Sequence, residues 1–165
     1  MNRLLHIVLL TALAMSLLVA ACGDNSCYEN GSSLPLATFY VGNTQQSISR
    51  LTVMGIGVPG DSLLLDGGSA DEMYLPLQAG ATTTSFLFRR QFVIGTDTVT
   101  KKDTVTIDYQ SVEYFHSAEC GAMFNFNVKG VRWTENAIDS VVLLNKVITN
   151  APMPSLRIHF TNYQL

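Results

Sequence analysis

Charge is scarce in this chain, and no stretch gathers charges of one sign. Ten basic and thirteen acidic side chains give a formal net charge of −3 over 165 residues, and only 14% of the residues are charged. Nucleic-acid binding depends on a basic stripe or patch that neutralises phosphates. The composition therefore argues against nucleic acid as a partner and is typical of a mildly acidic globular protein.

Residues suited to catalysis and metal binding are also few. The chain has three histidines, and it lacks the local spacings of zinc proteases, serine-hydrolase elbows and phosphate-binding loops. The run Gly55-Ile56-Gly57-Val58-Pro59-Gly60 matches a dinucleotide-binding spacing, but a short apolar run rather than a helix start follows it. We therefore expect a turn at these glycines, no metal, no cofactor and no enzymatic activity.

Helical periodicity is missing as well, and alternation takes its place. No stretch of ten or more residues combines helical periodicity with capping residues. Val105, Ile107 and Tyr109 alternate with polar residues, as in a half-buried strand. The segment Asp97–Thr100 recurs as Asp103–Thr106, which predicts a hairpin between the two copies. The predicted fold class is all-β, an antiparallel immunoglobulin-like β-sandwich.

Two further strands are predicted with defined inner faces. In the strand predicted over Thr84–Ile94, three phenylalanines share one face with Arg90, which must therefore reach an edge or find a partner. In the last predicted strand, Leu156–Tyr163, the alternation directs Ile158 inwards and His159 outwards.

The first residues have the pattern of an export signal. A short positive segment, Met1–Arg3, precedes the apolar run Leu4–Leu18, which is shorter than the roughly 20 residues of a membrane span. The following Leu18-Val19-Ala20-Ala21-Cys22 resembles the lipobox of bacterial lipoproteins; an uncleaved membrane helix is the alternative. The resemblance implies cleavage of a signal peptide at 1–21 and an acylated Cys22. The polar, turn-like residues Glu29–Ser33 then place the start of the folded domain near Leu34, so we expect a lipidated tether at 22–33 and a β-sandwich domain at 34–165.

An acylated Cys22 would also fix the location of the protein. Two or more acyl chains hold a protein stably on a bilayer. The lipid bilayer is therefore one expected partner of this protein. Gly23 rather than aspartate follows the cysteine, as in lipoproteins that are sorted onward to an outer membrane. Asp24 is the only acid nearby, so the acid-rich tags of surface export are poorly matched. We expect a lipid anchor in the outer membrane, on its periplasmic face rather than the cell surface.

The cysteine count suggests a disulfide. The chain has three cysteines, Cys22, Cys27 and Cys120. If Cys22 is acylated, Cys27 and Cys120 remain, and a distant pair in an oxidising compartment is most simply a disulfide. Such a bond would hold the domain close to the bilayer, because only residues 23–26 separate the lipid from Cys27. In the alternative interpretation Cys120 is a nucleophile, with His116 four residues before it.

Four segments share the pattern Asp-Ser/Thr-aliphatic. The pattern resembles the O-glycosylation acceptor of envelope proteins in Bacteroidota-type bacteria. The candidate acceptors are Ser62, Thr98, Thr104 and Ser140. The alternative is structural, because an aspartate turn before a hydroxyl and an aliphatic residue suits the start of a strand.

The single tryptophan, Trp133, is a candidate ligand contact. It follows the basic, turn-like stretch Lys129-Gly130-Val131-Arg132. An exposed indole at this position could stack on a sugar or meet a partner protein. The alternative is a structural residue that caps the end of the core.

The order of several short motifs resembles a family of small Bacteroidota envelope lipoproteins, a domain of unknown function. The motifs are Cys22 and Cys27, Leu51–Gly57, Asp61–Leu64, Leu75–Leu77, Glu119–Gly121, Ile138–Val141 and Leu156–Phe160. The resemblance implies a compartment and no activity. We therefore expect a non-catalytic lipoprotein, an interaction or structural module that presents a sheet face or edge to a neighbouring envelope protein. The alternative function is a glycan-binding accessory lipoprotein.

Overall fold

The computed structural model describes residues 33–57, 62–117 and 120–162, apart from the His116 side chain. The predicted signal peptide at 1–21 and most of the tether lie outside these residues. In the described part of the chain the regular elements are all strands. They are β1 (Leu36–Val41), β2 (Thr44–Gln45), β3 (Ile48–Ile56), β4 (Leu63–Ala70), β5 (Glu72–Tyr74), β6 (Thr83–Ile94), β7 (Asp97–Ser117), β8 (Gly121–Trp133), β9 (Ile138–Leu143), β10 (Val147–Ile148) and β11 (Pro154–Phe160). Within these ranges no helix has the length and apolarity needed to cross a bilayer.

The strands form two sheets that pack as a sandwich. The five-stranded sheet has the order β2-β1-β11-β9, with β5 also paired to β1. The six-stranded sheet has the order β10-β8-β7-β6-β3-β4. Every pair is antiparallel except β1 and β11, which run parallel with Phe39 opposite Ile158. The all-β sandwich expected from the alternation is confirmed, and the parallel pair brings the two ends of the described domain together.

The core lies between the two sheets and is rich in phenylalanine. Phe39 of β1, Phe88 of β6 and Phe160 of β11 are each at most 2% exposed. The ring of Phe39 meets the rings of Phe160 and Phe88 edge-on, with centroids 5.5 and 6.2 Å apart. Edge-to-face contacts of this kind add to the free energy gained from burying apolar area. The inward direction predicted for Ile158 is confirmed, because that residue is fully buried.

Arg90, which shares a strand face with core phenylalanines, finds partners at the margin of the core. Its Nη1 donates to the backbone carbonyl of Thr161 at 3.0 Å. Its guanidinium carbon lies 5.8 Å from the ring centroid of Phe160 and 6.0 Å from that of Phe92. The predicted conflict between a charge and an apolar face is therefore resolved by a carbonyl and two aromatic rings.

The hairpin predicted between the two Asp-Thr-Val-Thr copies is wrong. Both copies lie on the single strand β7, which runs for 21 residues. The chain turns earlier instead, at Gly95 and Thr96, and Gly95 has a φ of +62°. A two-residue hairpin turn needs positive φ, which glycine adopts without strain, whereas the Lys101-Lys102 pair offers no such residue.

Candidate functional site

The predicted acceptor residues occupy different environments. Ser62 precedes β4 and is exposed, and Thr98 is exposed near the start of β7. Thr104 on β7 and Ser140 on β9 are half-buried. The four residues are therefore spread over both sheets and form no common site. Glycosylation of each remains a prediction.

The aspartate before Thr104 has a structural task. Asp103 is 1% exposed, and its Oδ1 accepts hydrogen bonds from Thr134 Oγ1 and the Asn136 backbone, both at 2.8 Å. Its Oδ2 accepts the backbone N–H groups of Ala137 and Ile138 at 2.7 and 3.1 Å. A buried carboxylate needs such donors. Asp103 thus fixes the β8–β9 connection, which supports the structural interpretation of the motif at this copy.

Trp133 lies at the end of β8 and packs against the core. It is half-buried, and it is opposite Val105 in the register of β7 and β8. Its buried Nε1 has no hydrogen-bond acceptor among the described residues. This placement matches the predicted cap at the end of the core more closely than a freely exposed stacking surface.

His159 faces outward on β11, as predicted, and belongs to a polar surface. Its Nδ1 lies 2.9 Å from the carbonyl oxygen of Gly42, and its ring centroid is 5.5 Å from that of Tyr40. The guanidinium carbon of Arg157 lies 4.6 Å from the same Tyr40 ring centroid.

Among the described residues, no group of three or more histidine, cysteine or acidic side chains could hold a metal ion.

The most distinctive surface is a two-stranded ribbon formed by the end of β7 and the start of β8. Since β6 begins at Thr83, opposite Asp108, β7 pairs with β8 alone beyond that point. We call Gln110–Ser117 and Gly121–Asn127 the ribbon. On the other side of β8, among the described strands, β10 pairs only with Phe126 and Asn127. Among the described strands, the outer part of the ribbon therefore has no strand partner other than its own two strands.

One face of the ribbon continues the core face of its sheet. From Tyr109 outward, the register places Ser111 opposite Phe126, Glu113 opposite Phe124 and Phe115 opposite Ala122. Burial falls along this series. Phe126 is 4% exposed and Phe124 is half-buried, while Phe115 is 73% exposed. This face, which is apolar along β8 but carries Ser111 and Glu113 of β7, thus leaves the core and ends at the exposed ring of Phe115.

An apolar groove lies where the ribbon meets the body of the sandwich. Its volume is about 390 Å³. Aliphatic and aromatic side chains dominate its lining, which comprises Ser33, Leu34, Pro76, Leu77, Ala79, Ala122, Met123, Phe124 and Phe126. Ser33 Oγ donates to Asn125 Oδ1 at 2.9 Å, so the start of the described chain is held against β8. A concave, mainly apolar surface of this size is suited to an apolar partner.

Tyr109 holds one wall of the groove in place. The residue is 2% exposed, and its hydroxyl donates to the carbonyl of Gln78 at 2.8 Å while accepting the Gln78 N–H at 3.0 Å. The same oxygen lies 2.7 Å from Thr84 Oγ1. These bonds fix the connection between β5 and β6, which carries Pro76 and Leu77 into the groove.

Cys120 lies at the outer end of the ribbon. It is half-buried, its N–H donates to Ser117 Oγ at 3.1 Å, and it is disulfide-bonded. Cys22 and Cys27, the other cysteines of the chain, both lie outside the described residues. The choice of Cys27 as the partner therefore remains a prediction, as does the acylation of Cys22.

An ion pair marks the base of the ribbon. Arg132 Nε and Nη2 donate to the two carboxylate oxygens of Asp108 at 3.0 and 2.9 Å. The hydrogen bonds from Arg132 lower the pKa of Asp108 below its usual value of 3.8, and the Asp108 carboxylate raises the pKa of Arg132. The pair spans a register shift between β7 and β8 at Asp108 and Tyr109, so it connects the two strands where the ladder is irregular.

Sequence reasoning missed both the ribbon and the groove. The one local signal is the run Val112-Glu113-Tyr114-Phe115, which places apolar residues on both faces of a strand. A half-buried strand needs them on one face only.

Comparison with known proteins assigns the chain to a family. A model of a family of unknown function, DUF6452, matches residues 50–160. No curated protein and no solved structure matches this chain. The matched range covers β4 to β11, and it therefore includes the whole ribbon and most of both sheets.

Proposed function

This chain belongs to the DUF6452 family of unknown function, and we propose that it is a non-catalytic lipoprotein of the cell envelope. It serves as an interaction or structural module that an acylated Cys22 holds close to the outer membrane, on the periplasmic face. Its partners are the lipid bilayer and a neighbouring envelope protein.

One observation carries this proposal. The exposed apolar surface, the disulfide-bonded Cys120 and the first described residue, Ser33, all lie at the ribbon end of the domain. The short N-terminal tether and its predicted lipid would therefore meet the domain beside its most apolar exposed surface. Such surfaces typically mark contacts with membranes or proteins.

The first experiment is intact mass spectrometry of the detergent-extracted native protein, with and without reduction. A mass that includes acyl chains on Cys22 and rises by two hydrogens on reduction supports the proposal. A non-acylated chain overturns it. Repeated sugar increments, mapped to peptides, decide separately whether Ser62, Thr98, Thr104 and Ser140 carry glycans.

Cell fractionation tests the anchor independently. The Cys22→Ala variant should move from the outer-membrane fraction to the soluble fraction, while Cys27→Ala should remain in the membrane fraction. A Cys22→Ala protein that stays in the membrane fraction contradicts the lipid anchor. Crosslinking in intact cells, followed by affinity purification, should then recover a stoichiometric envelope protein; repeated recovery of the protein alone counts against an interaction module.

A second candidate function is a glycan-binding accessory lipoprotein. The observation that favours it is the outer face of the five-stranded sheet, where Arg157 stacks on Tyr40 beside His159 and Tyr74 is 46% exposed. Aromatic rings at a surface can stack on sugars. If the Trp133→Ala variant still binds a glycan array, Trp133 is not part of the binding surface. If the Tyr40→Ala variant no longer binds the array, the outer face of the five-stranded sheet is the binding face.

We also propose the finer fold assignment, an immunoglobulin-like sandwich. Two packed sheets support it, although β6, β7 and β8 follow one another as a meander rather than as a Greek key. An experimental structure compared with immunoglobulin domains would test the assignment.

A further inference from the structure

We infer that the end of the ribbon contacts the lipid bilayer directly, with Phe115 as the residue that enters the interface. The inference rests on the proposed function, because it takes the acylated Cys22 as its starting point. It adds which surface of the domain faces the lipid and what chemistry that surface recognises.

The first argument is the exposed apolar area at the ribbon end. Phe115 is 73% exposed, the largest exposure among the large hydrophobic residues described, and Val112 is 39% exposed on the opposite face. Ala122, opposite Phe115, is also exposed. No element of the described chain covers this apolar strand end. Its transfer from water to the boundary of a bilayer therefore lowers the free energy.

The second argument is the length of chain available between the lipid and the ribbon. With Cys22 acylated, Cys27 is the only other cysteine that can bond to Cys120. Five residues from Cys27 to Cys22 reach at most about 17 Å when extended. The lipid therefore enters the bilayer within about that distance of Cys27, and a disulfide would add roughly 6 Å between Cys27 and Cys120. Cys120 is two residues before Ala122, which lies opposite Phe115.

The third argument is charge. Between Gln110 and Asn127, Glu113 is the one charged side chain that the structure describes, and the sequence adds a second acid, Glu119. Lysine and arginine are absent from this stretch of the sequence. An acidic, lysine-free surface is not drawn to anionic lipids, so the expected contact is with neutral headgroups and acyl chains.

A partner protein could also cover an apolar surface. The bilayer is favoured because the tether length requires the ribbon end to be near lipid, whatever else the protein binds. A protein contact at Phe115 is therefore treated as an outcome that overturns the inference.

The test places a fluorescent reporter at the ribbon end of the complete, acylated protein. Phe115→Trp is reconstituted in phosphatidylcholine vesicles that carry bromine atoms on their acyl chains. The matched control is Val93→Trp, because Val93 is 47% exposed and lies opposite Thr98, near the other end of β7. Native Trp133, at the far end of β8 from Gly121, supplies the same background in both variants.

Phe115→Trp should show emission shifted to shorter wavelength and a loss of the added fluorescence in brominated vesicles. Val93→Trp should show neither change. The inference is overturned if both tryptophans are quenched equally, or if neither is quenched although the protein floats with the vesicles. Capture of a protein in native membranes by a photo-crosslinking side chain placed at position 115 would also overturn it. A protein that fails to float contradicts the lipid anchor itself, so the two failures are distinguishable.

Discussion

The carboxylate of Asp103, within β7, accepts the backbone N–H of Ala137 at 2.7 Å across 34 residues of sequence. This contact joins the middle of the six-stranded sheet to the segment that crosses to β9 in the other sheet. A single buried side chain therefore fixes a connection between the two sheets.

Asp103→Asn should lower the stability of the domain. An amide replaces one acceptor oxygen with a donor, so buried N–H groups of Ala137 and Ile138 or of Asn136 lose their partner. We expect a loss of about 3 kcal/mol in the free energy of unfolding and a fall of roughly 10 °C in Tm. Chemical denaturation followed by circular dichroism measures both.

The repeat provides the matched control for that change. Asp97 begins the first Asp-Thr-Val-Thr copy but is exposed at the start of β7. Asp97→Asn should change stability by no more than about 0.5 kcal/mol. Equal effects of the two substitutions would contradict the role assigned to Asp103.

Tyr109→Phe should loosen one wall of the groove. The phenyl ring still fills its place in the core, but the Gln78 N–H and carbonyl and the Thr84 hydroxyl lose their hydrogen-bond partner. We expect a loss of about 1 to 2 kcal/mol in stability. Hydrogen exchange should be faster in the connection between β5 and β6. In the control Tyr74→Phe, which alters an exposed side chain, neither quantity should change.

The pair of Asp108 and Arg132 should add a small, pH-dependent contribution to stability. The hydrogen bonds from Arg132 hold the pKa of Asp108 below its usual value of 3.8. The contribution is therefore present above that value and is lost as the pH falls through the lowered pKa of the folded state. Because the pair is largely exposed, solvent screens it.

Denaturation midpoints at neutral and acidic pH test this sign. Asp108→Asn should be slightly less stable than the wild type at pH 7, and the difference should vanish at a pH well below 3.8. A difference that grows with acidity would show that the pair does not act as described. Arg132→Gln should give the same pH profile.

Reduction of the disulfide should destabilise the domain. If Cys120 is bonded to Cys27, the closed loop is long, and chain-entropy estimates give roughly 4 to 5 kcal/mol, with measured values often lower. Cys120→Ser should therefore lower Tm, whereas Cys22→Ala should leave it unchanged. Peptide mapping without reduction identifies the partner, and a peptide that joins Cys120 to Cys22 would contradict both the pairing and the acylation.

Alternation along single strands was predictable from the sequence because it depends on local pattern. The inward direction of Ile158 and the outward direction of His159 follow from their spacing alone. The polar stretch after Leu65 was harder. Aspartate and glycine are typical of loops, but β4 continues through Asp66 and Gly67 because β3 supplies hydrogen bonds across an irregular register.

Features that depend on distant partners were not predictable. The parallel pairing of β1 with β11 joins the two ends of the described domain, and no local sequence motif predicts this pairing. Asp103 and Asp97 share the same sequence context, yet only Asp103 is buried, because only its side chain meets the β8–β9 connection. The ribbon likewise begins at the point where the neighbouring strand β6 stops pairing with β7. The sequence of β7 alone does not indicate that point.

The length of β7 has a mechanical consequence. Its 21 residues reach at most about 66 Å at roughly 3.3 Å per residue, from Asp97 at one end to Ser117 beside Cys120 at the other. With the proposed membrane tether bonded at the opposite end, a protein bound near Gly95 would place the strand under tension along its length. Ladder hydrogen bonds lie perpendicular to that direction, and β6 and β8 flank the strand in succession. The force would therefore load many hydrogen bonds at once in shear, and the bonds would not open one after another.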